Sequence, residues 1–87
     1  MYEVYLERRV EKFLRRLSAK DFYQVVYRIK NLAKNPRPPG CRKILGSKND
    51  WRLRSGNYRI IYEIDDKKRV VRVMLIRHRR EVYRKGR

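Results

Sequence analysis

Acidic residues are what this 87-residue chain has least of: 9 Asp and Glu stand against 26 Lys and Arg, a formal charge of +17. A heat-adapted surface normally adds glutamate along with lysine, so this scarcity of acids argues against that explanation. Charge of this kind bears on partners rather than on fold. It points to nucleic acid, an anionic membrane surface, or an acidic protein that covers the basic side. With a single cysteine, Cys41, no intramolecular disulfide can form. Cys41 follows a Pro-Gly loop and reads as an ordinary loop residue. No apolar run approaches the roughly 18 residues of a membrane span, and there is no signal-peptide core. The expected location is therefore the cytoplasm, with no membrane partner. A membrane-surface role is the least expected, because neither helix pairs a large exposed apolar face with its basic residues. At this length the chain is expected to be one domain, residues 1–87, and its core must be small and regular.

The three prolines all fall between residues 36 and 39, which divides the chain into a first part of helical period and a last part of strand period. Tyr2 to Leu6 alternates weakly and reads as a short strand. Val10, Phe13, Leu14 and Leu17 then recur at helical spacing, with arginines, lysine and glutamate on the other side. Ser18 opens a second helix, with Asp21 three residues on as in a capping box. Phe22, Val25, Val26, Ile29, Leu32 and Ala33 form its buried stripe. Pro36 disfavours helical geometry at the residue before it, so this helix is expected to stop near Asn35. Residues 35–50 read as a loop in which Ile44 and Leu45 tuck under the body.

Three strands are expected next: Trp51 to Ser55, Tyr58 to Asp65, and Val70 to Ile76, the last including Met74 in the core. Gly56-Asn57 is a hairpin-turn signal, and Asp66-Lys67-Lys68 makes a second turn. The expected class is α+β, in the order β-α-α-β-β-β, with a helical hairpin packed on one face of a small antiparallel sheet.

Arginines interrupt these strands. Arg52 and Arg54 alternate with Trp51 and Leu53, and Arg59 alternates with Tyr58 and Ile60. Arginine on a strand does not serve core packing, so a row of arginines calls for an anionic partner outside the protein. Phosphate suits the guanidinium fork best.

The stretch Arg52-Leu53-Arg54-Ser55-Gly56-Asn57-Tyr58-Arg59-Ile60-Ile61-Tyr62-Glu63 and the closing His78-Arg79-Arg80-Glu81-Val82-Tyr83, in this order of elements, resemble the RelE/ParE superfamily of bacterial and archaeal toxins. The resemblance covers nearly the whole chain. It implies the toxin of a type II toxin–antitoxin system, held inactive by a cognate antitoxin protein that wraps around it. Operator DNA would be bound only through the antitoxin complex.

Within the superfamily, the RelE branch implies a ribonuclease that cuts messenger RNA on the ribosome, with no metal and no cofactor. The ParE branch implies a gyrase poison without nuclease activity. A third possibility is a weakened member that binds only antitoxin and nucleic acid. Asp50, standing where RelE-like nucleases carry a lysine, is mild support for that third possibility.

Carried over by position, Arg59 matches the arginine beside the scissile phosphate. Arg79 matches a second active-site arginine, although Arg77 could take that place. Arg52 falls where a catalytic lysine is common, and Tyr83 matches a tyrosine that stacks on a base or assists proton transfer. Arg54, Arg77, Arg80, Lys43 and Lys48 are further candidates for RNA contact.

Cleavage of this kind uses the ribose 2′-hydroxyl as nucleophile on the adjacent phosphate. Arginine is suited to stabilising the charge that develops, but with a pKa above about 12 it is a poor proton carrier. His78, with an ordinary pKa near about 6.5, and Tyr83 are the candidates for moving protons. The bland readings are a solvated strand-end histidine and a packing tyrosine. Arg8, Arg9, Arg15 and Arg16 read as a solvated helix face. Trp51 reads as core, since it shares a strand face with Leu53.

Overall fold

The structure is a computed structural model that describes residues 1–79. Its elements are β1 (Glu3–Leu6), α1 (Arg8–Arg15), α2 (Ala19–Asn31), β2 (Arg42–Lys43), β3 (Asp50–Ser55), β4 (Tyr58–Asp65) and β5 (Val70–His78). Five strands form one sheet in the order β1-β5-β4-β3-β2, and the class is α+β.

Two features of the sheet differ from the sequence reading. The loop before β3 contributes the two-residue strand β2, which lies antiparallel to β3. The sheet is also mixed, because β1 runs parallel to β5. Burial explains the second difference. Val4 and Leu6 stand opposite Val71 and Val73, and all four contribute to the helix-covered side. The open edge of β5 is where a first strand can place them, since β2 occupies the edge beside β3.

The core lies between the helices and one face of the sheet. Val10 and Leu14 of α1, with Val25 and Ile29 of α2 and Leu32 just after it, meet Leu53, Ile60, Tyr62, Ile64, Val71, Val73 and Ile76. Because strand side chains alternate between faces, burial of Leu53, Ile60, Tyr62 and Ile64 sends Arg52, Arg54, Arg59, Ile61 and Glu63 to the opposite, open face. Tyr62 is fully buried, and its hydroxyl donates to the carbonyl oxygen of Pro36 at 2.8 Å.

Several local expectations need revision. The Asp21 amide donates to Ser18 Oγ at 3.2 Å, which is half of a capping box. The Asp21 carboxylate does not complete it, and instead accepts from the Tyr58 hydroxyl at 3.0 Å. Helix α2 ends at Asn31 rather than near Asn35. Tighter turns follow, in which the Leu32, Ala33 and Lys34 amides each donate three residues back.

Leu45 does not tuck in: it is 98% exposed. It occupies the tip of a turn closed by Ser47 N–H on the Ile44 carbonyl, with Gly46 at φ +84°. That is the type II pattern, whose second residue carries its side chain away from the body.

Met74 is not a core residue either. It is the additional residue in β5, since Ile61 pairs with Leu75 while Tyr62 pairs with Val73. The bulge changes which face each later residue meets. Val71 and Val73 point to the helices before it, and Ile76 does so after it.

Candidate functional site

The open face carries its charge in zones. Across one end, Arg54 of β3, Arg59 of β4 and Arg77 of β5 stand directly opposite one another. Next comes the row Arg42, Arg52, Ile61 and Leu75. The third row is Asp50, Glu63, Arg72 and Tyr5, and Asp65 and Glu3 flank Val70 beyond it. The acids of this face are thus gathered at the end away from the Arg54–Arg59–Arg77 row.

Like charges placed directly opposite on neighbouring strands are destabilising, by roughly 0.2–1 kcal/mol per pair relative to neutral pairs. The row holds two such pairs, Arg54 with Arg59 and Arg59 with Arg77. Among the described residues neither of the two ion pairs, Arg9–Glu7 and Arg37–Asp66, involves it.

A concavity of about 370 Å³ opens on this end, lined by Gly40, Arg42, Arg52, Leu53, Arg54 and Arg59. It gathers four guanidinium groups from three strands. Such a pocket can bind a phosphate and stabilise charge building on it, because each fork offers parallel donors to phosphate oxygens. Among the described residues no three of His, Cys, Asp and Glu come together as a possible metal site.

The turn beside the row is built tightly. Gly56 has φ +58° while Asn57 keeps negative φ, which is the II′ arrangement suited to a two-residue hairpin. Arg28 of α2 donates through Nη2 to the Arg54 carbonyl oxygen at 2.9 Å, bracing the end of β3. The Arg79 amide donates to the Asn57 carbonyl oxygen at 2.6 Å, so the chain leaving β5 is tied to the same turn.

The candidate residues fall into four groups. Arg52, Arg54, Arg59 and Arg77 share the open face, and the backbone of Arg79 lies at its basic end. His78 and Lys43 lie on the other face. His78 pairs with Tyr58 in register, and their rings meet edge-to-face at 5.2 Å. Phe13 packs on the same Tyr58 ring at 5.8 Å. Burial, and then the Asp21 carboxylate, raise the Tyr58 phenol above its ordinary pKa. The bulge at Met74 is what turns His78 toward the helices and Arg77 away from them. Lys43 pairs with Trp51, a partly buried residue on the helix side. Lys48 is exposed in the loop before β3 and does not line the concavity. Arg80 and Tyr83 lie outside the described residues.

Arg42 is the residue that sequence reading missed. Its only signal was a basic pair inside a loop, and the two-residue strand that aims it was not visible. Asp50 is half-buried on the open face opposite Glu63, within the acidic zone. Trp51 packs against the core, as read from the sequence, and has a cation beside it as well. The Arg37 guanidinium lies 5.1 Å from its ring centre and also forms a two-pronged bond to Asp66, at 2.8 and 3.2 Å.

The comparisons with known proteins agree with this architecture. Residues 4–83 match the ParE toxin of type II toxin–antitoxin systems, parDE. The chain belongs to this family, and with it to the RelE/ParE superfamily. Among solved structures it is similar to the archaeal RelE–RelB complex from Pyrococcus horikoshii, with 25% identity, TM-score 0.82, and coverage of 90% of this chain and 94% of that one. The intact RelBE toxin–antitoxin complex of E. coli gives 27% identity, TM-score 0.74, and coverage of 87% and 94%. The isolated E. coli RelE toxin shares the fold, with 24% identity, TM-score 0.78, and coverage of 99% and 95%. No curated protein sequence matches this one.

Proposed function

We propose that this toxin is a RelE-like endoribonuclease that cuts messenger RNA on the ribosome, and that a cognate antitoxin holds it inactive. The observation that carries the proposal is the arginine row Arg54–Arg59–Arg77 with Arg52 and Arg42 beside it, a like-charge arrangement that works against the stability of the sheet. Likeness to the P. horikoshii and E. coli RelE structures supports the nuclease branch.

In the proposed reaction the 2′-hydroxyl attacks the adjacent phosphorus and the 5′-oxygen leaves. The products are a 2′,3′-cyclic phosphate and a 5′-hydroxyl. Arg59, at the centre of the row, grips the scissile phosphate. Arg77 and Arg52 share the charge that builds on the non-bridging oxygens, and Arg54 holds the neighbouring phosphate. Arg79 closes the basic end. Preorganised donors of this kind lower the barrier because they need not reorient as charge develops. Tyr83 is the proposed proton carrier or base-stacking group. His78 has no part in this scheme, since it faces the helices.

The antitoxin is proposed to cover the basic end with acidic or amphipathic segments. Its binding should weaken as salt rises. Operator DNA would be reached only through that complex.

The match to the ParE toxin family favours a second reading, a gyrase poison without nuclease activity. One experiment separates the two. Ribosome-bound message and a gyrase supercoiling reaction are each exposed to the wild type, Arg59→Ala and Tyr83→Ala. Cleavage by the wild type alone supports the nuclease. Inhibited supercoiling with intact message supports the poison.

A further inference from the structure

A second concavity, of about 300 Å³, adjoins the first and is lined by Gln24, Tyr27, Arg28, Arg54, Ser55 and Gly56. It lies between α2 and the turn that joins β3 to β4. Arg54 lines both concavities and so forms the wall between them. The Tyr27 side of the cleft is open, with that residue 66% exposed. Gln24 lies one helical turn before Arg28, and its Oε1 stands 3.6 Å from where a Cβ on Gly56 would sit. The cleft thus offers an aromatic ring, a side-chain amide with both donor and acceptor, and the Arg28 guanidinium, which is anchored to the Arg54 carbonyl oxygen in its wall.

From this juxtaposition we infer that the cleft is a base-binding subsite for single-stranded nucleic acid, with Tyr27 as the platform on which one base stacks. The inference rests on the phosphate-binding reading of the arginine row and extends it. A strand whose phosphate is held at Arg54 and Arg59 has its next base within reach of the cleft, over the narrow turn at Gly56. Open aromatic rings beside a basic track are how proteins hold unpaired strands without reading a fixed sequence. The Gln24 amide can meet the edge of the stacked base, which would add a modest base preference. The nearby Tyr23 serves as a comparison. It is 70% exposed on the preceding turn of α2, but it packs edge-on against Phe22 and does not line the cleft.

The test measures equilibrium binding of two fluorescently labelled chains by anisotropy at low salt. One is a short oligoadenylate with 2′-deoxy sugars, which resists cleavage. The other is an abasic chain of the same length, which keeps its phosphates and has no bases. Tyr27→Ala should weaken binding of the oligoadenylate about tenfold and leave the abasic chain unaffected. Tyr27→Phe should bind both as the wild type does, and Tyr23→Ala should change neither. Arg59→Ala should weaken both chains.

Equal loss on the two chains, no loss on either, or an equal effect at Tyr23 would overturn the stacking role. Unchanged oligoadenylate binding by Tyr27→Ala combined with weaker antitoxin binding would overturn it too, and would assign the ring to a protein partner. An Arg59→Ala variant that binds both chains normally would defeat the phosphate reading separately. A wild type that binds neither chain would defeat both.

Discussion

Arg9 reaches from α1 to the carbonyl oxygen of Met74, the additional residue of β5, with its Nε at 2.5 Å. The contact braces the bulge that decides which way the end of β5 faces. With regular alternation after Val73, His78 would lie on the open face and Arg77 against the helices. One extra residue reverses the two. Removing the brace should therefore disturb the site from a distance. Arg9→Ala should lower stability by about 1 kcal/mol, or about 4–8 °C in melting temperature for a domain of this size. It should also reduce activity several-fold through misplacement of Arg77. Thermal melts together with a cleavage assay check both effects, and Arg9→Lys should recover part of each.

The arginine row predicts a trade between activity and stability. Arg59→Ala removes the shared member of both like-charge pairs. It should cost about a hundredfold in rate if Arg59 donates to the transition state. Its melting temperature should equal or exceed that of the wild type. A calorimetric scan beside a single-turnover assay reads both quantities.

His78→Ala should behave in the opposite way. The ring packs on Tyr58 and away from the arginines, so its loss should lower stability by about 1 kcal/mol. The rate should stay within about threefold of wild type, because the ring lies away from the arginine row.

Acid should loosen the link between the loop and the β4–β5 turn. Arg37 first, and then the Tyr2 hydroxyl, hold the Asp66 carboxyl below its ordinary pKa, and Tyr2 donates to it at 2.6 Å. Because the folded value is depressed, this contribution is present above the unfolded pKa of about 3.9. It is lost as pH falls through the folded value. Asp66→Asn should flatten the acid limb of a stability-versus-pH curve and leave neutral cleavage unchanged.

Alkali acts through Tyr62. Burial pushes its phenol well above the ordinary value. A raised folded pKa means that the contribution is complete below about pH 10 and is lost as pH climbs toward the folded value. Tyr62→Phe should remove that alkaline loss. It should also cost about 1–2 kcal/mol at neutral pH by leaving the Pro36 carbonyl oxygen without its donor.

Much of this architecture can be read from local chemistry. The Ser18 cap, the Gly56 turn and the alternation of β4 each follow from interactions within a few residues. What could not be read depends on pairing between distant segments. β2 exists only because Arg42 and Lys43 meet Arg52 and Trp51 across a turn. Leu45 is apolar and yet caps that turn in solvent. The bulge at Met74 has no marker within β5, so the faces of Arg77 and His78 could not be assigned from spacing alone. Arg52, Arg54 and Arg59 were legible because β3 and β4 alternate regularly between Trp51 and Ile60.

The most direct test of the central claim maps the ends of ribosome-bound messenger RNA exposed to the wild type, Arg59→Ala and Arg77→Ala. The wild type should make cuts that leave 2′,3′-cyclic phosphate and 5′-hydroxyl ends, with losses of about a hundredfold in each variant. Cutting at the wild-type rate by both variants would contradict it.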